Sequence, residues 1–266
     1  MTKFAMFVLN LLRKCHMGGV FERAAGLTYR VLLAFFPFLI FMMSLLGFVQ
    51  LDTAAILAPV RYALPADAAD IVTNFLRELG QTRNRGLLSV GLLFSIFNSS
   101  KGFRAIIRST NIAFDTEDER GAVRLTLLSI GLMTLFALAI IVMLVMLLLG
   151  RHIWDLFLPD TLEVLFLPLS AAGVFIVMLI ATMLIYKLAC ALPLRMRQVF
   201  PGAMFTVVAW AVSTAVFAFA IPNFTNFPAI YGSIAGIFIL ILWLNLVSVI
   251  LLIGSELNAL IVTEGR

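Results

Sequence analysis

Charge is scarce in this chain of 266 residues, and cysteine and histidine are scarcer. Asp, Glu, Lys and Arg make up 12% of it, hydrophobic residues 62%, and the mean hydropathy is +1.09. That balance excludes a water-soluble globular domain. Its two cysteines, Cys15 and Cys190, belong to no CxxC or Cys/His cluster, which excludes a zinc framework. Both fall on the side of the membrane where thiols stay reduced, so no disulfide is expected. The two histidines, His16 and His152, fall on opposite sides and cannot share a site. There is no Walker motif, no GxSxG and no HExxH. No cofactor or metal is implied, and the chain does not read as an enzyme.

What is present is long stretches without charge. None occurs from Leu125 to Gly150, from Val164 to Tyr186, or from Gln198 to Ser255. A hydrocarbon core about 30 Å thick takes about 20 apolar residues of helix. The runs are too long, and alternate too little, for outer-membrane strands. The sequence therefore predicts an all-α integral membrane protein, one polytopic domain over 1–266. Its six transmembrane helices are expected at 27–49, 86–107, 125–149, 164–186, 203–221 and 231–253. The span at 86–107 is the odd one. Gly86 to Ser100 is only fifteen uncharged residues, so this span must run on past Lys101.

Two amphipathic segments flank the spans. Residues 1–23 do not read as a signal peptide, because Arg13 and Lys14 interrupt the apolar stretch and no small-residue cleavage site follows. Phe4, Phe7, Val8, Leu11, Leu12 and Cys15 share one helical face, as in a helix lying in the membrane interface. Residues 52–85 carry Ile71, Val72, Phe75, Leu76 and Leu79 on one face and read as a helical cap on the periplasmic side.

Orientation follows from the basic residues. Fourteen of the nineteen Lys and Arg fall on the side of the two termini and five on the other. Cytoplasmic loops carry the excess of Lys and Arg, so both termini are expected in the cytoplasm of a bacterial inner membrane. The net charge of +5 has the same origin and does not point to nucleic acid.

Candidate binding residues lie where polar groups enter the spans. Asn98, Lys101, Arg104 and Arg108 follow one another at helical spacing. Such a stripe could hold an anionic headgroup, since basic pockets between spans bind them; ordinary anchoring of the span is the bland alternative. Glu256 is the one acid between Glu163 and Glu264 and should lie near a cation, Arg30 or Lys101. Tyr29 and Asn245 are further polar candidates, Asn245 more as glue between helices than as a ligand group. Gly232 and Gly236 make a GxxxG that suits close helix packing, and Pro37 should kink the first span. Asp115, Glu117, Asp118 and Glu119 read as a solvated loop, not as a two-metal centre, which needs carboxylates on rigid elements.

The order of short motifs resembles one family. Ala24-Ala25-Gly26-Leu27-Thr28-Tyr29 and Phe36-Pro37 come first. Leu192-Pro193, Pro201-Gly202-Ala203, Tyr231-Gly232-Ser233 and Leu242-Trp243-Leu244 follow, and the series ends at Leu252-Ile253-Gly254-Ser255-Glu256-Leu257-Asn258. Together they resemble the YihY/BrkB family of bacterial inner-membrane proteins. Arg30 and Thr110-Asn111 depart from its usual pattern. The resemblance implies six spans and an inner-membrane location. The family has carried a ribonuclease BN label, which no metal-carboxylate or histidine cluster here supports. Other members are linked to serum resistance and to movement of lipid or lipopolysaccharide precursors. The combined expectation is binding or translocation of an amphiphilic, anionic, lipid-like substrate in envelope biogenesis. The alternative is a non-transporting scaffold or regulator of envelope assembly. Expected partners are membrane lipids, with self-association or an envelope-assembly partner left open.

Overall fold

A computed structural model describes residues 3–49, 66–81, 85–157, 163–224 and 235–264. The described residues are all-helical. In chain order the helices are α1 (Lys3–Met17), α2 (Val20–Val49), α3 (Ala66–Gln81), α4 (Arg85–Ala113), α5 (Ala122–Phe157), α6 (Glu163–Ala189), α7 (Met196–Phe224) and α8 (Ala235–Glu264). Six long helices close into a ring: α2, α4, α5, α6, α7, α8 and back to α2, each packed on the next. The charge-free runs account for most of this. A helix satisfies its own backbone hydrogen bonds, which is what a chain without water around it requires.

Among the described residues five helices are long and apolar enough to cross a membrane: α2, α5, α6, α7 and α8. The sixth expected span, 86–107, lies within α4, which is not among these five. Its position explains its composition. α4 is packed between α2 and α5 and also touches α6 and α8, so it meets protein on several sides. Phe103, Ile106 and Ile107 enter the main core, while Ser99, Ser100, Ser109, Thr110 and Asn111 are buried alongside. Gly102 permits the close α2–α4 approach, since a Cβ there would stand 3.2 Å from Ala34 Cβ.

That core joins Leu27 of α2, Leu132, Met133 and Ala137 of α5, Ile185 of α6 and Leu252 of α8 to the α4 residues. A second cluster puts Ile239, Leu240, Trp243 and Leu244 of α8 against Val31 and Phe35 of α2 and Trp210 and Phe217 of α7. α2 runs unbroken through half-buried Pro37. Gly236 is half-buried in the first turn of α8, and Gly232 lies outside the described residues.

The two amphipathic helices dock on the ring. Of the α1 face that the sequence predicts, Cys15 is in the main core and Leu11 packs on it, while Leu12 is exposed. Met6 and Leu9 are exposed as well. α3 buries Val72 and Leu76 against Leu39, with Phe35 and Phe36 beside them and Phe75 edge-on to Phe36 at 5.2 Å. It packs on α8 as well as on α2. The rest of the 52–85 segment, with Leu79's side chain, lies outside the described residues apart from the start of α4.

Candidate functional site

At the end of the ring where α1 docks, a two-residue turn sets up a charged groove. Gly19 has φ +61°, a left-handed conformation that glycine adopts at no steric cost, and it joins α1 to α2. Gly18 closes α1 by donating to Lys14 O at 2.8 Å. A Cβ on Gly18 would stand 2.8 Å from that oxygen, 3.1 Å from Arg23 Nη2 and 3.4 Å from Glu256 Oε1. The turn is thus folded directly over an ion pair.

Glu256 is the carboxylate of that pair, only 2% exposed. Arg23 Nη2 donates to Glu256 Oε1, and Arg23 Nη1 reaches Ser109 O at 3.3 Å. Lys14 Nζ lies 3.6 Å from Glu256 Oε2. One arginine therefore ties α2 to α8 and α4, and one lysine adds α1. A buried carboxylate is tolerable only with such partners. The groove beside them has a volume of about 610 Å³ and is lined by Asn10, Arg13, Lys14, Arg23, Asp115 and Glu256, among others. Burial, and after it the charge of Glu256, pushes the Cys15 thiol up, which keeps it protonated and unreactive.

Behind the groove the same end is held by polar contacts between helices. Tyr186 is fully buried, its hydroxyl 2.7 Å from Thr206 Oγ1 and donating to Leu251 O at 2.6 Å. Gly202 N donates to Asn258 Oδ1 at 2.7 Å. These bonds join α6, α7 and α8. Asn111 clamps the turn after α6: its Nδ2 donates to Ala189 O at 3.2 Å and its Oδ1 accepts from Ala191 N at 2.7 Å. Asp118 also accepts from Asn111 Nδ2 at 3.0 Å and from Arg120 Nε at 2.6 Å, and the Arg120 hydrogen bond holds its carboxyl below the usual range. The acidic run is therefore not uniformly a solvated loop. Asp115, Glu117 and Glu119 are exposed, but Asp118 is built in. Among the described residues no three His, Cys, Asp or Glu are grouped to hold a metal ion.

The sequence candidates are dispersed. Asn98 accepts from Lys101 Nζ at 3.2 Å, and that ammonium sits 4.6 Å from the Phe97 ring centroid. Arg104 donates to Thr126 Oγ1, linking α4 to α5, and Arg108 is exposed. None of these four lines the groove. Arg30 and Tyr29 are exposed. Asn245 Nδ2 donates to Thr28 Oγ1 at 3.2 Å, which makes it the expected glue between α8 and α2. Glu256 has the cationic neighbour that its position demanded, but it is Arg23 with Lys14, not Arg30 or Lys101. Arg30 lies seven residues beyond Arg23, about 10 Å further along the helix. The missed signal is Gly18-Gly19, a turn that folds Arg13 and Lys14 back beside the start of α2.

Comparison with known proteins now decides the family. Residues 11–265 match the virulence factor BrkB family. The chain belongs to that family. As its members do, this chain reads as a multi-pass membrane protein. It is 36% identical to the ribonuclease-like protein YfkH of Bacillus subtilis over 90% of this BrkB-family chain and 89% of YfkH. It is 24% identical to a UPF0761 membrane protein of Neisseria meningitidis over 97% of its own length and 64% of that protein. A UPF0761 membrane protein of Pseudoalteromonas translucida is 30% identical over 33% of this chain and 29% of its own. No solved structure matches this BrkB-family chain.

Proposed function

We propose that this BrkB-family protein sits in the bacterial inner membrane with both termini cytoplasmic and binds or translocates an anionic, lipid-like amphiphile without catalysing a reaction. The observation that carries the reading is the groove. Arg13, Lys14 and Arg23 line one recess, next to a helix whose outer side presents Met6, Leu9 and Leu12. Cations beside an exposed apolar surface suit a headgroup and its acyl chains together. The ribonuclease-like name of YfkH is no part of this reading: among the described residues no three His, Cys, Asp or Glu are grouped to hold a metal ion. The filled core of the ring favours a second reading, a scaffold of envelope assembly that binds lipid without moving it.

Orientation is tested by reporter fusions. A fusion after Glu264 should read cytoplasmic and one near Asp160 periplasmic; a periplasmic signal at Glu264 defeats the placement. The site is tested by native mass spectrometry of the purified protein. Each cation facing an anionic lipid is worth about 1 kcal/mol, so losing two costs about 2 kcal/mol. Arg13→Gln with Lys14→Gln should therefore cut retained phosphatidylglycerol about 30-fold. Unchanged lipid in that variant, with loss in Lys101→Gln/Arg104→Gln, would move the site to the α4 stripe.

A further inference from the structure

Given the groove as an anion site, we infer that Glu256 is a built-in competitor for its ligand: it holds Arg23 and Lys14 at rest, and an arriving phosphate displaces it and releases α1 from the bundle. The inference rests on the preceding reading and adds a regulation to it.

The first ground is that the carboxylate and the ligand need the same cations. Glu256 lines the groove, and both of its partners line it too. Of the groove's three basic residues, only Arg13 is not engaged with it. A phosphate that reached Arg23 and Lys14 would meet a buried carboxylate of like charge, with Asp115 on the rim adding to the repulsion. The carboxylate and the phosphate therefore compete for the same arginine and lysine. The arginine also favours the exchange. Its fork matches a phosphate through two parallel N–H groups, and its Nε is buried with no hydrogen-bond partner.

The second ground is mechanical. Lys14 is the α1 end of the contact, and at 3.6 Å it is held by charge rather than by a hydrogen bond. The lysine is the more open partner, 30% exposed against 2% for the glutamate. α1 continues into the left-handed Gly19 turn, and a short turn of this kind can absorb a change of backbone angle at an element end. The apolar contacts of Leu11 and Cys15 also hold α1. Loss of the lysine contact removes one of the holds on a helix that already presents Met6, Leu9 and Leu12 outward. Coupling between binding sites is reciprocal, so a ligand that opens the contact must bind more tightly where the contact is already open.

The test uses the full chain in phosphatidylcholine nanodiscs, with phosphatidylglycerol added in one arm and inorganic phosphate in another. Hydrogen exchange reads α1, and native mass spectrometry reads retained lipid. Phosphatidylglycerol should speed amide exchange in Lys3–Met17 at least about fivefold. If inorganic phosphate does the same, a free anion suffices; if only the lipid does, the ligand is a headgroup. Glu256→Gln should show fast α1 exchange without added anion and should bind phosphatidylglycerol about fivefold more tightly. A glutamate with a merely structural role would give weaker binding, not tighter. Glu256→Asp, which shortens the reach, should move both readouts the same way if the glutamine variant does not fold. Retained phosphatidylglycerol with unchanged α1 exchange, or weaker binding in the Glu256 variants, overturns the competition but leaves the groove standing. No retention of either anion by the wild type overturns both.

Discussion

Gly202→Ala should abolish recovery of a folded, monodisperse protein, while Gly131→Ala should leave yield and melting temperature unchanged or slightly raised. The difference lies in what a methyl group would meet. At Gly202 it would stand 2.1 Å from Gly254 O and 2.5 Å from Asn258 Cγ and Nδ2. The nearest of these is backbone, so α7 and α8 would have to part. Parting breaks the Gly202–Asn258 bond and strains the Tyr186–Leu251 bond behind it. Overpacking alone costs about 1–3 kcal/mol, and each buried polar group left unpaired adds about 1–3 kcal/mol. Gly131 faces open space on α5, where alanine gains about 0.5–1 kcal/mol of helix preference. Fluorescence-detected size exclusion and a thermal melt compare the two. A Gly202→Ala protein melting within about 2 °C of wild type, a change of about 1 kcal/mol or less, would mean that the helices do not meet there.

Arg23→Ala is expected to be nearly as damaging, and for an electrostatic reason. It removes the main partner of a carboxylate that is 2% exposed, and losing one side of a buried pair costs about 3–5 kcal/mol. Lys14 recovers part of this at its longer distance, so the lower end is the better expectation. Arg30→Ala, at an exposed position, should cost less than about 1 kcal/mol. Unfolding in a denaturing detergent series gives the comparison. Equal losses in the two variants would put the partner of Glu256 on the wrong turn of α2.

The helices were legible in the sequence because the physics that makes them is local: charge must leave a stretch that faces lipid. The exception was α4. Its Asn98, Lys101 and Arg104 read as a mismatch of length, whereas this helix packs on α2, α5, α6 and α8 and leaves Lys101 and Arg108 exposed. The resemblance and the belonging agree, since the motif order runs through the same residues that match the BrkB family. The site was half legible. A lone acid in an apolar run demands a cation, and Glu256 has one. Which cation depends on how deep each helix starts, and residue spacing within one span carries no information about its neighbour. Asn111 and Gly202 were overlooked for a related reason. Each matters through a partner distant in the chain, 80 residues away for Ala191 and 56 for Asn258. Nothing around either residue announces that partner.

The Arg23–Glu256 contact spans 233 positions of the chain. A ribosome working at about 5–20 residues per second needs roughly 12–47 s to cover that distance. Throughout that interval the arginine has been made and its carboxylate has not. The ring is consequently the last thing to be completed during synthesis, and its opening turn is locked by its closing helix. Premature termination anywhere before codon 256 would therefore be felt first at the amino terminus, in a helix that was itself translated without error.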